Sequence, residues 1–164
     1  FGGNSLGKNS MKVVKLAAVL LVLLSALLVL ITPLGPVPGF FIGGTPTEPP
    51  ETWPDTSAVH EITLGVQGTL PRVVIIWVSE YQDELYIVGS ADSGWVNMIG
   101  EGAPVEMRLG DNTYSLIATL LEDDWQPMMT AYVEKYEPDY PDIVAGFPAV
   151  EDAQSAIKVF KLVR

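Results

Sequence analysis

The pattern of apolar and polar positions divides the chain into three stretches. Leu16 to Ile31 reads LAAVLLVLLSALLVLI, with Ser25 its single polar member. At about 1.5 Å per residue such a helix covers roughly 24 Å, and Val13, Val14 and Leu34, with a snorkelling Lys15, extend it towards the roughly 30 Å of bilayer hydrocarbon. Thr32 to Pro54 then carries prolines at 33, 36, 38, 46, 49, 50 and 54, which are expected to prevent helix or sheet and predict an extended polyproline-like spacer. Beyond Asp55 the apolar runs are short, rich in Val, Ile, Tyr and Trp, and separated by Gly, Asp, Asn and Pro. They predict strands over 60–66, 72–79, 84–90, 94–99, 104–109, 113–122 and 155–163. Turns fall at Gln82-Asp83, Gly100-Glu101-Gly102 and Gly110-Asp111-Asn112.

One helix interrupts the strands. Asp123-Asp124 offers a cap, Pro127 suits a first turn, and Met129, Tyr132 and Tyr136 share a face at i, i+3 and i+7 with Lys135 in the last turn. The expected architecture is mainly β: a small antiparallel barrel covered by one helix and preceded by a single transmembrane helix, closure being the way to remove exposed strand edges.

The domain reading is therefore 1–10 as an N-terminal extension or expression scar, 11–31 as a transmembrane signal anchor, 32–54 as a Pro-rich linker and 55–164 as the barrel domain. Met11, Lys12 and Lys15 would also open a cleavable signal. The sequence after Ile31, TPLGPVPGFF, lacks an A-x-A-like cleavage site, so the uncleaved anchor is the expectation. Lys8, Lys12 and Lys15 precede the apolar run and no cation follows until Arg72. This predicts a cytoplasmic N-terminus and a periplasmic C-terminal domain in a bacterial membrane. Phe40 and Phe41 are expected either at the membrane interface or packed on a neighbour.

Composition narrows the chemistry. Nine cations against twenty acids give a net charge of −11, which excludes a nucleic-acid binder because phosphate neutralisation needs a basic face. Without cysteine, disulfides, thiolate metal sites and thiol catalysis are excluded; a single histidine, His60, excludes a multi-histidine metal centre. Glu122-Asp123-Asp124 and Asp139–Asp142 lack the spacing of a calcium loop, and no metal site is expected.

Asp83 to Leu109, DELYIVGSADSGWVNMIGEGAPVEMRL, followed by Asn112-Thr113-Tyr114 and the AYVEKY segment at Ala131 to Tyr136, resembles the split-barrel flavin-binding superfamily. Within it the likeness is to the deazaflavin-dependent nitroreductase and pyridoxamine-phosphate-oxidase-like branch. That resemblance implies a split β-barrel, and places Ser90, Ser93, Gly94, Trp95 and Asn97 beside the cofactor, with Trp95 able to stack on a flavin ring. The family's arginine before the serine is replaced by Val88-Gly89. From Thr45 onward six cations face all twenty acids, a balance of −14 that opposes a phosphate-bearing FMN or deazaflavin. Arg72 and Arg108 are read as partners of carboxylates rather than of phosphate, and His60 as a strand histidine rather than a proton donor.

The resulting expectation is a membrane-anchored, non-catalytic split barrel with no bound cofactor and no catalytic residue, an accessory subunit whose partners are other membrane proteins and, through 16–31, the bilayer. The alternative is an anchored flavin or deazaflavin oxidoreductase of the nitroreductase or quinone-reductase type. A binder of a small apolar ligand such as haem is allowed by the fold and supported by no residue.

Overall fold

The computed structural model describes residues 5–34, 37–149 and 153–164; residues 1–4 of the extension and Gly35-Pro36 of the proline-rich stretch lie outside the described residues. Helix α1 runs Ser5–Ile31, and its segment Met11–Leu28, of mean hydropathy 2.3, has nothing packed on it. By length and composition it is able to cross a membrane.

The body of the molecule is mainly β. Strands β2 (Glu61–Val66), β3 (Arg72–Tyr81), β4 (Glu84–Ser90), β5 (Gly102–Leu109), β6 (Asn112–Leu120) and β7 (Ile157–Val163) form a closed antiparallel barrel in the order β6-β5-β2-β3-β4-β7, sealed by β7 returning to β6. The alternation expected of half-buried strands is clear in β6, where Tyr114, Leu116 and Ala118 point inward and Ser115, Ile117 and Thr119 outward. The interior holds Leu64, Val66, Val78, Leu85, Ile87, Met107, Phe160 and Leu162, each out of solvent and each contributing roughly 1.5–3 kcal/mol of burial. The β3–β4 hairpin turns on Gln82-Asp83, both with positive φ, the geometry a two-residue primed turn requires.

The proline-rich stretch differs from a free spacer. Its residues Thr45–Thr47 form strand β1, parallel to Asn112–Tyr114 of β6, and Gly39 bridges Val73 of β3. Each lies where a barrel strand has part of an edge unpaired by its barrel neighbours. On the edge away from β5, β6 gives only Ile117–Leu120 to β7, and β1 takes the first three residues. Val73 pairs with Gly65 of β2 on one edge and takes Gly39 on the other, short of the point where β4 begins to pair. Arg108 donates to the Ile42 carbonyl, Thr113 Oγ1 to the Gly43 carbonyl, and Trp53 is buried edge-on to Tyr114. The segment thus covers strand edges that would otherwise invite pairing with another chain.

Two local expectations are corrected. Residues Gly94–Ile99 form a helix, α2, not a strand. Trp95, Val96 and Ile99 are buried and Asn97 is exposed, the i, i+1, i+4 spacing of a helical turn rather than alternation, and they plug one end of the barrel. Helix α3 begins at Gln126 with Trp125, not an aspartate, at its N-cap and without a side-chain capping bond; Asp124 instead takes a positive φ in the preceding turn. Burial of Trp125 against α3's own buried face holds this start in place of a polar cap.

Candidate functional site

Helix α3 (Gln126–Tyr136) lies on β3, and the seam between them gathers polar and aromatic groups. The expected apolar face is present: Met128, Met129, Tyr132 and Tyr136 are buried. Trp77 of β3 stacks on Tyr136 with ring centroids 4.1 Å apart and planes 8° from parallel, and Tyr132, Tyr140 and Phe147 close round it. Such aromatic pairs add roughly 0.5–1.5 kcal/mol beyond their area.

Lys135 does more than favour the helix dipole. Its Nζ donates to the backbone carbonyls of Thr56 at 3.0 Å, Val59 at 2.8 Å and Val78 at 2.8 Å, using all three ammonium protons to bind α3 to the start of the domain and to β3. Burial pushes its ammonium below the ordinary lysine range, while Glu80 and Asp55 pull it back. Next to it, the Tyr136 hydroxyl accepts from the Val78 N–H at 3.0 Å and has the His60 and Val78 carbonyls, each at 2.6 Å, as acceptors for its proton. Burial raises the Tyr132 and Tyr136 phenols well above the usual tyrosine range, so neither serves as a base at neutral pH. The ammonium and the phenol thus spend their protons on backbone carbonyls and tie α3 to β3 and to the chain before β2.

His60 sits at the rim of the seam, Nε2 3.3 Å from Asp139 Oδ2 and Nδ1 3.3 Å from the Tyr140 hydroxyl. No sequence spacing links His60 with residues 79 and 80 positions away, so this trio was illegible before folding. His60 is in the wall of none of the four clefts described in this section.

The residues expected beside a cofactor do not converge. Trp95 is buried in the barrel core against Phe160, and a Cβ at Gly89 would strike its ring, which explains why glycine occupies β4 there. Ser90 is exposed and donates to Asp92; Asn97 is exposed and donates to the Ser93 carbonyl. Gly94 lies against the Arg72 guanidinium, and two buried polar atoms there, Arg72 Nε and Ser93 Oγ, have no protein partner. Arg108 bonds the carbonyls of Gly110 and Ile42 rather than a carboxylate, so the expected carboxylate pairing is corrected for this residue. Lys161 and Arg164 both pair with Glu84. Of the five positions, Trp95 has its ring inside the barrel, where it is not open to stack on a flavin, and Ser90 lines a cleft.

That cleft, about 310 Å³, lies between the barrel and α3 and is walled by Trp77, Val88, Met129, Tyr132, Ile143 and Phe147, with Ser90 at its edge. No cation lines it. On the opposite side of α3 a cleft of about 660 Å³ carries Asp55, Glu80, Asp83 and Glu134; its one cation, Lys135, is turned onto backbone carbonyls. A third, about 530 Å³, is bounded by Phe40, Phe41, Gly68 and Pro71, and a fourth, about 290 Å³, by Leu121, Trp125 and Lys158. Among the described residues no group of three or more potential ligands is placed to hold a metal ion.

Neither family models nor curated proteins yield a match to the chain. Solved structures do. The chain is similar to the FAD- and haem-binding protein of Mycobacterium smegmatis (TM-score 0.47, 19% identity, 65% of this chain and 62% of that one). It is also similar to a NimC/NimA family protein of Clostridium acetobutylicum (0.44, 18%, 63% and 73%) and to the haem storage protein HutZ of Vibrio cholerae (0.45, 11%, 64% and 82%). The chain spans less than two thirds of the length of the M. smegmatis protein. These are likenesses between chains, and they assign this protein neither a family nor a ligand.

Proposed function

We propose that the protein is a membrane-anchored, non-catalytic split barrel that serves as an accessory subunit of a larger membrane assembly, with its N-terminus cytoplasmic and its barrel on the periplasmic side. The observation that carries this reading is the fixed connection between anchor and barrel. The Ile31 carbonyl, at the end of α1, accepts from the N–H groups of Phe40 and Phe41 at 2.7 and 3.0 Å, and Gly39, Thr45–Thr47 and Trp53 are built into the barrel. A domain held in one pose at the end of a helix loses little freedom when it docks, which suits a subunit better than a free-swinging catalyst. The carboxylates of Asp55, Glu80, Asp83 and Glu134 favour a basic surface on the neighbour and salt-sensitive association.

The test is native mass after mild detergent extraction from the source membrane, at low salt. A particle much larger than 17.8 kDa plus micelle supports the subunit reading, and free monomer in several detergents rejects it. The competing reading, an anchored flavin or deazaflavin oxidoreductase, is favoured by the apolar cleft beside Trp77 and opposed by the absence of a cation from its wall. A stoichiometric flavin-like absorption spectrum in the same preparation would select it.

A further inference from the structure

We infer that the turn after α1 and the β2–β3 loop form a second membrane contact, an apolar foot that seats the barrel in the bilayer interface. This rests on the reading of α1 as a membrane span. Outside α1, eight large apolar residues are exposed among the described residues; five of them, Leu34, Val37, Phe40, Phe41 and Leu70, belong to these two segments. Phe41 and Leu70, 61% and 71% exposed, are more open than any packing role allows. The Gly39–Val73 bridge runs antiparallel and brings the two segments together, and Phe40, Phe41, Gly68 and Pro71 share the walls of one cleft.

Two further observations point to lipid rather than protein as the occupant. From Leu16 to Thr47 there is no charged residue, so the uncharged chain continues past the helix through the whole foot. Most telling is the backbone. Every N–H between Thr32 and Phe41 among the described residues is internally bonded: Thr32 to the Leu28 carbonyl, Leu34 and Val37 to each other's, Gly39 to that of Val73, and Phe40 and Phe41 to that of Ile31. Pro33 and Pro38 have no N–H to satisfy. Apolar side chains outward and, among the described residues, no unpaired backbone donor lower the cost of entering a water-poor interface, whereas a spacer in water has no need of such pairing. The aromatic side chains suit the headgroup level, where phenylalanine and leucine on one face anchor interfacial elements.

The natural chain has no cysteine, which makes single-site labelling clean. Full-length F41C, L70C, L23C and I143C variants would each carry an environment-sensitive fluorophore in phosphatidylcholine–phosphatidylglycerol vesicles. Ile143, 52% exposed and beside the Trp77 cleft, controls for apolar exposure away from the foot, and Leu23 reports on the anchor. The expected result is several-fold stronger quenching of labels 41 and 70 than of label 143 by a nitroxide held near the headgroup. Label 143 should respond to aqueous iodide and label 23 to a nitroxide deep in the acyl chains. If label 23 is lipid-quenched while 41 and 70 respond to iodide like 143, the foot is overturned and the anchor stands. Labels 41 and 70 shielded from both quenchers would mean a second copy covers the patch, which also overturns it. A label 23 open to iodide overturns both the foot and the anchor on which it rests.

Discussion

Helices α1 and α3 are stable for opposite reasons. From Leu16 to Leu28, α1 is apolar but for Ser25, with no part of Met11–Leu28 against the barrel; the 11 residues of α3 bury Met128, Met129, Tyr132 and Tyr136 and fix Lys135 to three carbonyls. A helix as short as α3 is marginal in water by itself, so it exists because β3 and the chain before β2 accept it. Helix α1 is long enough to persist without the barrel, given a lipid solvent. Its stability is thus written in composition, and that of α3 in tertiary contacts.

The sharpest way to break this contrast is to remove the ammonium from α3's seam. K135A takes a charged donor from three carbonyls; the Thr56 carbonyl keeps the Val59 N–H and the Val78 carbonyl the Tyr136 hydroxyl, so only that of Val59 is left without a donor, and the full chain in detergent should lose about 3 kcal/mol in denaturant titration. Membrane retention should be unchanged. The converse substitution, L23R, places a charge in the middle of α1 at a cost of about 3 kcal/mol to insertion. Carbonate extraction should then release the chain, while the near-UV circular dichroism of the barrel stays intact. Disturbance of both properties by either variant would show that the two helices are not independent.

Smaller effects refine the picture within the barrel. G89A drives a methyl into the Trp95 ring and should cost about 1–3 kcal/mol of overpacking, read as a lower melting temperature with a shifted tryptophan emission. Y136F removes one hydroxyl from the Val78 N–H and its acceptor carbonyls, at about 1–2 kcal/mol. The same phenol gives a pH signature. Folding raises the Tyr132 and Tyr136 pKa above the ordinary value of 10.0, so the unfolded chain releases those protons first. Their contribution to stability is complete below pH 10 and is lost as pH rises from there towards the folded values. Alkaline melting curves should fall more steeply for the natural chain than for Y132F or Y136F.

Much of the barrel was legible because its strands obey a period of two and its turns use glycine, aspartate and asparagine; β4 was placed to the residue. The error at Gly94–Ile99 came from reading β-branched and aromatic residues by propensity, where Asn97 would have broken an inward-facing alternation and fits the outer side of one helical turn. The proline-rich stretch was misjudged for a different reason: proline forbids a central strand, yet three residues at an edge suffice to cover a gap, and composition does not register that. Of the candidate site, the face of α3 was visible in its i, i+3, i+7 spacing. The partners of Lys135 and Tyr136 are backbone carbonyls on strands and loops far away in the chain, and such acceptors have no residue signature at all.

The sharing of one strand edge between β1 and β7 acts as a stop on sliding. In an antiparallel pair a slip of two residues keeps every side chain on its own face, so patterning alone does not resist it. Here Ile117 opposes Val163 and Tyr114 is already taken by Thr47. A two-residue shift of β7 along β6 would carry Arg164 to Tyr114 and collide with β1. The short strand that follows α1 therefore blocks, from outside the ring, a slip of β7 towards the start of β6.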